Sequence, residues 1–496
     1  MTSTASTALT LDRLPSGIPG LDTVLGGGFF QSGVYIVQGL PGSGKTIFAN
    51  QLCYAHVAGG GTAVYVTLLA ESHARMLQHI RTLRFFDESV IPDRLSYISA
   101  FHDLEADGLK GLMSVLRREM RARAATVLVL DGLVAAAEAA ETDRELKKFI
   151  HEIQTSAVFH GCTVFLLTSG NSPKTNAEHT MVDGLIELEE RLFEARAERA
   201  LQVRKFRGGG SLRGKHAFRI SDAGLEVFPR IESLYGEPPS ARTAEVALST
   251  GVPSLDALIT FGGLPAQSAT VVTGSTGTGK TTLGLHFLAC STPQEPGLLF
   301  GFFESPPRLR AKAASLGFDL VALERQGAVE LMWHSQGEHI LDELGHRLLQ
   351  RVSERGVRRL VIDGLSGFFE SAIYPERINR FFSCLLNELR RRGATVLMTM
   401  ETRDAISSTV SSAFGISGFV DNLVFLRFVE HQGELQRLLT ITKMRDSHFG
   451  PGLHGLEIGP RGASISGRYV AGKDFIPRAE PVMEFPSPGT SGRGER

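Results

Sequence analysis

Gly39-Leu-Pro-Gly-Ser-Gly-Lys45-Thr46 and Gly274-Ser-Thr-Gly-Thr-Gly-Lys280-Thr281 are the two stretches that decide the fold. Each fits G-x-x-x-x-G-K-[ST], follows an apolar run rich in β-branched residues (33–37 and 269–273), and opens a helical pattern. Each therefore reads as strand, phosphate loop and helix. The loop glycines let backbone N–H groups turn toward phosphate oxygens. In the first loop these positions are Gly39, Gly42, Ser43 and Gly44; in the second they are Gly274, Gly277, Thr278 and Gly279, with Thr282 behind them. Lys45 and Lys280 reach the β and γ oxygens, and the hydroxyls of Thr46 and Thr281 ligate Mg²⁺ at a helix N-terminus whose dipole favours anions. With 54 glycines in 496 residues, a double match by chance is expected in roughly a tenth of a per cent of such chains. Chance is not the explanation.

The surrounding landmarks are doubled too. Ser16-Gly-Ile-Pro-Gly-Leu-Asp22 recurs as Thr250-Gly-Val-Pro-Ser-Leu-Asp256, and Val127-Leu-Val-Leu-Asp131-Gly-Leu as Arg359-Leu-Val-Ile-Asp363-Gly-Leu. Lys205-Phe-Arg207 recurs as Lys443-Met-Arg445. Four landmarks in one order at nearly constant offset mean a tandem duplication, and the period is far too long for a solenoid, so each copy is a domain with its own core. The first domain is expected over 1–236, a linker over 237–248, the second domain over 249–470, and a disordered tail rich in Pro, Gly and charge over 471–496. Short buried-type strands (64–67, 127–130, 164–168) alternate with amphipathic helical stretches such as 109–123. The fold class is α/β, with a mostly parallel sheet covered by helices on both faces in each domain, and ligands at the carboxyl ends of the strands.

Composition sets the outer limits. Lys+Arg at 52 against Asp+Glu at 53 gives a net charge of −1, so no basic field argues for nucleic acid as a partner. No signal peptide and no long apolar span is present, which makes the cytoplasm the expected location and a membrane an unexpected partner. Cys53, Cys162, Cys290 and Cys384 lack metal or redox spacing and read as small buried hydrophobes. His334, His339 and His346 read as the surface of one helix, and Trp333 is the only tryptophan.

Asp131 and Asp363 each end an apolar strand before Gly-Leu, the position of an acid that holds the Mg²⁺ shell. Hydrolysis also needs a group that orients water. Glu71 and Glu304, at the end of the strand after each loop helix, are the candidates; an N-cap acid of the next helix is the competing reading.

On these residues the chain resembles the KaiC family of RecA-like ATPases over nearly its whole length. The resemblance rests on the two loops, the strand-end acids, the S/T-G-[IV]-P-x-L-D opening, the Lys-x-Arg pairs and the closing strands near 217–229 and 455–465. It implies two tandem RecA-like domains that bind ATP with Mg²⁺, an ATP-dependent homohexamer with nucleotide between subunits, and a regulatory protein partner at the C-terminal region. It also implies that Lys205, Arg207, Lys443 and Arg445 reach the neighbouring subunit's phosphates. Two departures stand out. The family's paired glutamates keep only their second member here, with Ala70 and Phe303 in the first place, and the Ser-Thr phosphoacceptor pair becomes Ser417-Gly418. Ser417 is thus the leading candidate acceptor of a Ser/Thr autokinase activity that lacks its usual base, with the hydroxyls of Ser407-Ser-Thr-Val-Ser-Ser412 as the alternative and a solvated loop as the competing reading of that segment. A ring ATPase acting as a signalling or timing switch is the leading expectation; a RecA-like DNA-dependent ATPase and an ATP-binding scaffold without catalysis are the alternatives.

Overall fold

The computed structural model describes residues 12–68, 73–169, 181–236, 246–335, 337–402, 418–431 and 433–469. These fall into two compact units. One holds the described residues of the first copy together with Gly337–Arg351 and Phe368–Glu388, and the other holds the remainder of the second copy.

The first sheet has nine strands: β1 (Val34–Gln38), β2 (Ala63–Thr67), β3 (Leu95–Ser99), β4 (Val127–Asp131), β5 (Thr163–Thr168), β6 (Gly184–Phe193), β7 (Arg196–Phe206), β8 (Lys215–Ser221) and β9 (Gly224–Phe228). Their spatial order is β3-β2-β4-β5-β1-β6-β7-β8-β9. Pairings from β3 through β6 are parallel, and β6 to β9 continue as an antiparallel meander. The second sheet comprises β10 (Ala269–Gly274), β11 (Gly297–Gly301), β12 (Val329–Trp333), β13 (Arg359–Asp363), β14 (Thr395–Glu401), β15 (Asn422–His431), β16 (Glu434–Met444), β17 (Leu453–Gly459) and β18 (Gly462–Tyr469). Its order, β12-β11-β13-β14-β10-β15-β16-β17-β18, is the first order shifted by nine. The duplication is therefore a duplication of topology.

Helices on both faces explain why β1, β2 and β4 are apolar up to their polar last residues, Gln38, Thr67 and Asp131. Val34, Ile36, Val64, Val66, Leu128 and Leu130 face one core with Leu112, Leu116, Phe149 and Ile153, while Tyr35, Val37, Tyr65 and Val129 face another with Phe48 and Leu52 of the helix Lys45–Ala58. The helix expected over 109–123 runs from Phe101 to Ala122, because Gly108 (φ 61°, ψ −150°) joins an extra N-terminal stretch across a kink.

The duplicated opening motif is a hydrogen-bonded turn. Asp22 Oδ1 accepts from the Ser16 amide at 3.0 Å, and Asp256 Oδ1 from the Thr250 amide at 2.9 Å. The glycine between them is obligatory. Gly17 has φ 66° and a Cβ there would stand 2.0 Å from the Ala55 Cβ; Gly251 has φ 77° and a Cβ would stand 2.2 Å from the His286 carbonyl oxygen. In both copies the turn is pressed onto the helix that follows the phosphate loop.

One expectation is corrected. His334 is not on a helix surface: it follows β12, is 6% exposed, and its ring lies 4.3 Å from that of Phe300. The imidazole packs here ring against ring with Phe300, which spacing along the chain does not show. Only His346 lies on the helix Leu341–Arg355; His339 precedes it. All four cysteines are free, two buried and two half-buried, and burial pushes the Cys162 thiol up to about 12. No described helix is long and apolar enough to cross a membrane. The stretches 237–245 and 470–496, which hold most of the expected linker and the expected tail, lie outside the described residues.

Gly17→Ala combines a close contact with a left-handed backbone and should cost about 2–4 kcal/mol of stability. Gly60→Ala has φ 93° but nothing within 4 Å of the new methyl, so it should cost only about 1–2 kcal/mol. Urea unfolding of the two variants side by side checks the difference; equal costs would mean that the turn does not press on the helix.

Candidate functional site

Each phosphate loop follows the central strand of its sheet and ends in a left-handed glycine, Gly44 (φ 99°) or Gly279 (φ 106°), before the helix Lys45–Ala58 or Lys280–Ala289. The loop closes on its own lysine. Lys45 Nζ donates to the carbonyls of Gly39 (2.7 Å) and Leu40 (3.0 Å), and Lys280 Nζ to those of Gly274 (2.9 Å) and Ser275 (2.8 Å). Burial lowers the pKa of both lysines. Asp131 opposes this for Lys45, and Glu401 followed by Asp363 opposes it for Lys280. The buried hydroxyl oxygens of Ser43 and Ser275 have no partner among the described residues. A cradle whose buried hydroxyls have no partner among the described residues, with a lysine donating to its own loop, fits a phosphate chain.

The strand-end acids complete the fit to Mg²⁺. Burial raises the pKa of Asp131 and of Asp363, and hydrogen bonds pull both back toward the charged form. Asp131 Oδ2 accepts from the Tyr65 hydroxyl at 2.7 Å. Asp363 accepts from Thr399 at 2.6 Å, and Thr281 Oγ1 donates to both carboxylate oxygens at 3.2 Å. In the second loop, then, the two residues expected to hold the ion already touch. A buried, hydrogen-bonded carboxylate beside a helix-opening Thr is the donor set of a hydrated Mg²⁺.

Glu304 lies near this acid, since its charge acts on Asp363. It is not the N-cap of the next helix: Ser305 occupies that place before Pro306–Ser315, and Glu304 instead accepts from Lys312 Nζ at 2.8 Å. The Phe303 ring covers Gly364, where an added Cβ would come within 2.4 Å of it. Glu71 and Ser417 lie outside the described residues. Glu401 was not foreseen from sequence. It is level with Gly274 on the adjacent strand β14, and its carboxylate accepts from the Thr276 hydroxyl in the loop. An acid so placed becomes visible only once β14 is known to flank β10.

The Lys-x-Arg pairs are not brought to these loops. Lys205 pairs with Leu185 on β6, and the Arg207 amide bonds to Asp183, whose carboxylate accepts from the Val34 amide at the start of β1. The Arg207 guanidinium donates to the Met181 carbonyl at 3.3 Å. In the second copy Lys443 Nζ donates to the Val420 carbonyl at 2.7 Å, and Arg445 lies 3.8 Å from Asp421, whose carboxylate accepts from the Ala269 amide. Both pairs thus face the amino ends of the parallel strands. The loops lie at the carboxyl ends, about 16 Å away for a five-residue strand.

A family model described as "ATPase: KaiC" matches residues 14–232 and again 248–469. The circadian clock oscillator protein KaiC of Thermostichus vulcanus is 25% identical over 476 residues, covering 93% of this chain and 90% of that protein. The protein of that name from Acaryochloris marina is 26% identical over 472 residues (92% and 89%), and circadian clock oscillator protein KaiC 1 of Synechocystis is 24% identical over 468 (92% and 89%).

A buried acid whose pKa is raised in the folded state holds its proton more tightly there than in the unfolded chain, so its contribution favours the fold at low pH and is lost as pH rises from about 4 through the folded-state pKa. Asp363→Asn should therefore raise the melting midpoint of the nucleotide-free protein at pH 7, by about 2–4 °C. It should also flatten the pH dependence and weaken Mg²⁺-dependent ATP binding. Calorimetry with and without Mg·ATP checks both; a fall in the nucleotide-free midpoint would contradict the sign.

Proposed function

The chain belongs to the KaiC family of ATPases, and we propose that it is a homohexameric ATP-binding and ATP-hydrolysing ring protein whose nucleotide state serves as a signalling or timing switch. The observation that carries this reading is the position of the Lys-x-Arg pairs. A subunit's own pair faces away from its own phosphates, so cations in that place serve a nucleotide only across a subunit boundary.

In this reading Lys45 and Lys280 exchange their loop carbonyls for the β and γ oxygens of ATP. Thr46 with Asp131, and Thr281 with Asp363, hold Mg²⁺, which bridges phosphate oxygens and neutralises developing charge. Glu71 and Glu304 orient the attacking water, and Lys205, Arg207, Lys443 and Arg445 stabilise the neighbour's transferring phosphoryl group. Ser417 is the candidate acceptor if that group passes to protein, and the C-terminal region is the candidate seat of a regulatory partner.

A second reading, favoured for the second site alone, is a nucleotide that is held rather than turned over. Glu304 is tied to Lys312, and a phenyl ring stands beside Gly364 where a second carboxylate would assist.

Assembly should depend on nucleotide. Native mass spectrometry is expected to show a hexamer with Mg·ATP and smaller species without it, and Lys45→Ala should weaken assembly more than Lys280→Ala. A monomer at saturating ATP would refute the ring. With γ-labelled ATP, Glu71→Gln in a chain whose second site is disabled by Lys280→Ala should lower phosphate release about 10²–10⁴-fold while ATP remains bound, and in the otherwise unaltered chain any label on protein should vanish in Ser417→Ala. Unchanged release would return Glu71 to a structural role, and label surviving in Ser417→Ala would move the acceptor elsewhere.

A further inference from the structure

Asp131 and Asp363 occupy matching places in their sheets, yet the hydroxyl that grips each comes from a different strand. In the first copy the donor is Tyr65 on β2, two residues before Thr67, the register partner of Asp131. The partner of Asp131 on the other flank, β5, is Leu167, buried and without a donor. In the second copy the arrangement is reversed. Thr399 on β14 is the register partner of Asp363 and donates to it, whereas the position matching Tyr65 is the buried Leu299, two residues before Gly301. Tyr65 with Leu167 in one copy thus answers Leu299 with Thr399 in the other. A strand hydroxyl lost on one flank and regained on the opposite one, and kept in the second copy although Thr281 also reaches Asp363 at 3.2 Å, marks the close strand donor as the requirement, because a buried carboxylate held only weakly is costly.

We propose that Tyr65 is a positioning residue for metal binding in the first site, holding Asp131 by Oδ2 so that Oδ1 is presented to the hydrated ion, as Thr399 positions Asp363 in the second. The proposal rests on the reading of Asp131 as the Mg²⁺ acid. Tyr65 is itself braced. Its ring packs 5.5 Å from that of Tyr97, the Tyr97 hydroxyl donates to Asn50 Oδ1 at 2.8 Å, and Asn50 Nδ2 donates to the Thr46 carbonyl at 2.8 Å. One aromatic pair therefore fixes both the acid and the helical turn that carries the Thr hydroxyl. Partners of this kind orient ligands without touching the ion, and their loss typically weakens metal affinity about 10–100-fold.

The test uses the full chain carrying Lys280→Ala, so that only the first site reports, and reads binding of a fluorescent ATP analogue as Mg²⁺ is titrated. Tyr65→Phe should raise the half-saturating Mg²⁺ concentration about tenfold and leave binding in EDTA unchanged. Adding Leu167→Thr, which installs the second copy's solution, should bring the value back to within about threefold of the parent. An unaltered Mg²⁺ dependence in Tyr65→Phe, equal weakening with and without metal, or a folded double variant with no rescue would each overturn the proposal. Should circular dichroism show the double variant unfolded, Thr399→Val in a Lys45→Ala chain makes the comparison from the other side: a rise of about tenfold supports the scheme, and no change overturns it. Asp131→Asn separates the two layers. If it leaves the Mg²⁺ dependence unchanged, the metal reading fails and the proposal with it; if it raises the requirement while Tyr65→Phe does not, only the positioning role fails.

Discussion

A lysine and a carboxylate, both largely withdrawn from water at the carboxyl ends of the central strands, are the pair around which each half of this chain is organised. Neither charge is comfortable. Burial lowers the pKa of Lys45 and raises that of Asp131, and each partly relieves the other. The lysine donates to carbonyls of its own loop, so the loop folds back around the charged group that the sequence pattern marks as its phosphate ligand. The remaining parts follow from that need: a parallel sheet to bring the two strand ends together, glycines to let the loop bend back, and hydroxyl donors to make a buried carboxylate tolerable.

Much of this could be read from the chain alone. The phosphate loops, the strand-end acids and the duplication are local patterns at fixed spacing, and the matched strand orders follow from them because two copies of one pattern fold alike. The S/T-G-[IV]-P-x-L-D repeat was legible as a landmark, but its physical content, an Asp-closed turn whose glycine touches the loop helix, required coordinates.

What escaped the sequence lies across strands. Glu401 is far from the second loop in number and adjacent to it in the sheet. The engagement of Glu304 by Lys312 depends on a helix folding back over the strand end, and the burial of His334 depends on the Phe300 ring of the neighbouring strand, against which its imidazole packs. The Lys-x-Arg pairs were identified as residues, yet which end of the sheet they occupy follows only from the antiparallel turn-back of β7 and β16. The Tyr65 hydroxyl was hidden in the same way, since a tyrosine inside an apolar strand looks like core until its oxygen is traced to Asp131.

The exchanged hydroxyls also bear on how two duplicated halves can go on trading sequence. A recombination event that places the crossover between the second and fourth strands, first copy leading, would give a carboxylate with both Tyr65 and Thr399 as donors from its flanking strands, where each parent has one. The opposite joint would pair Leu299 with Leu167, leaving the carboxylate no donor on either flanking strand and only the longer contact from the Thr281 hydroxyl of the loop helix. The two products of one crossover are therefore unequal. Gene conversion across the middle of these domains would be filtered in one direction, which allows the halves to stay alike in topology while drifting apart in how their strand-end acids are held.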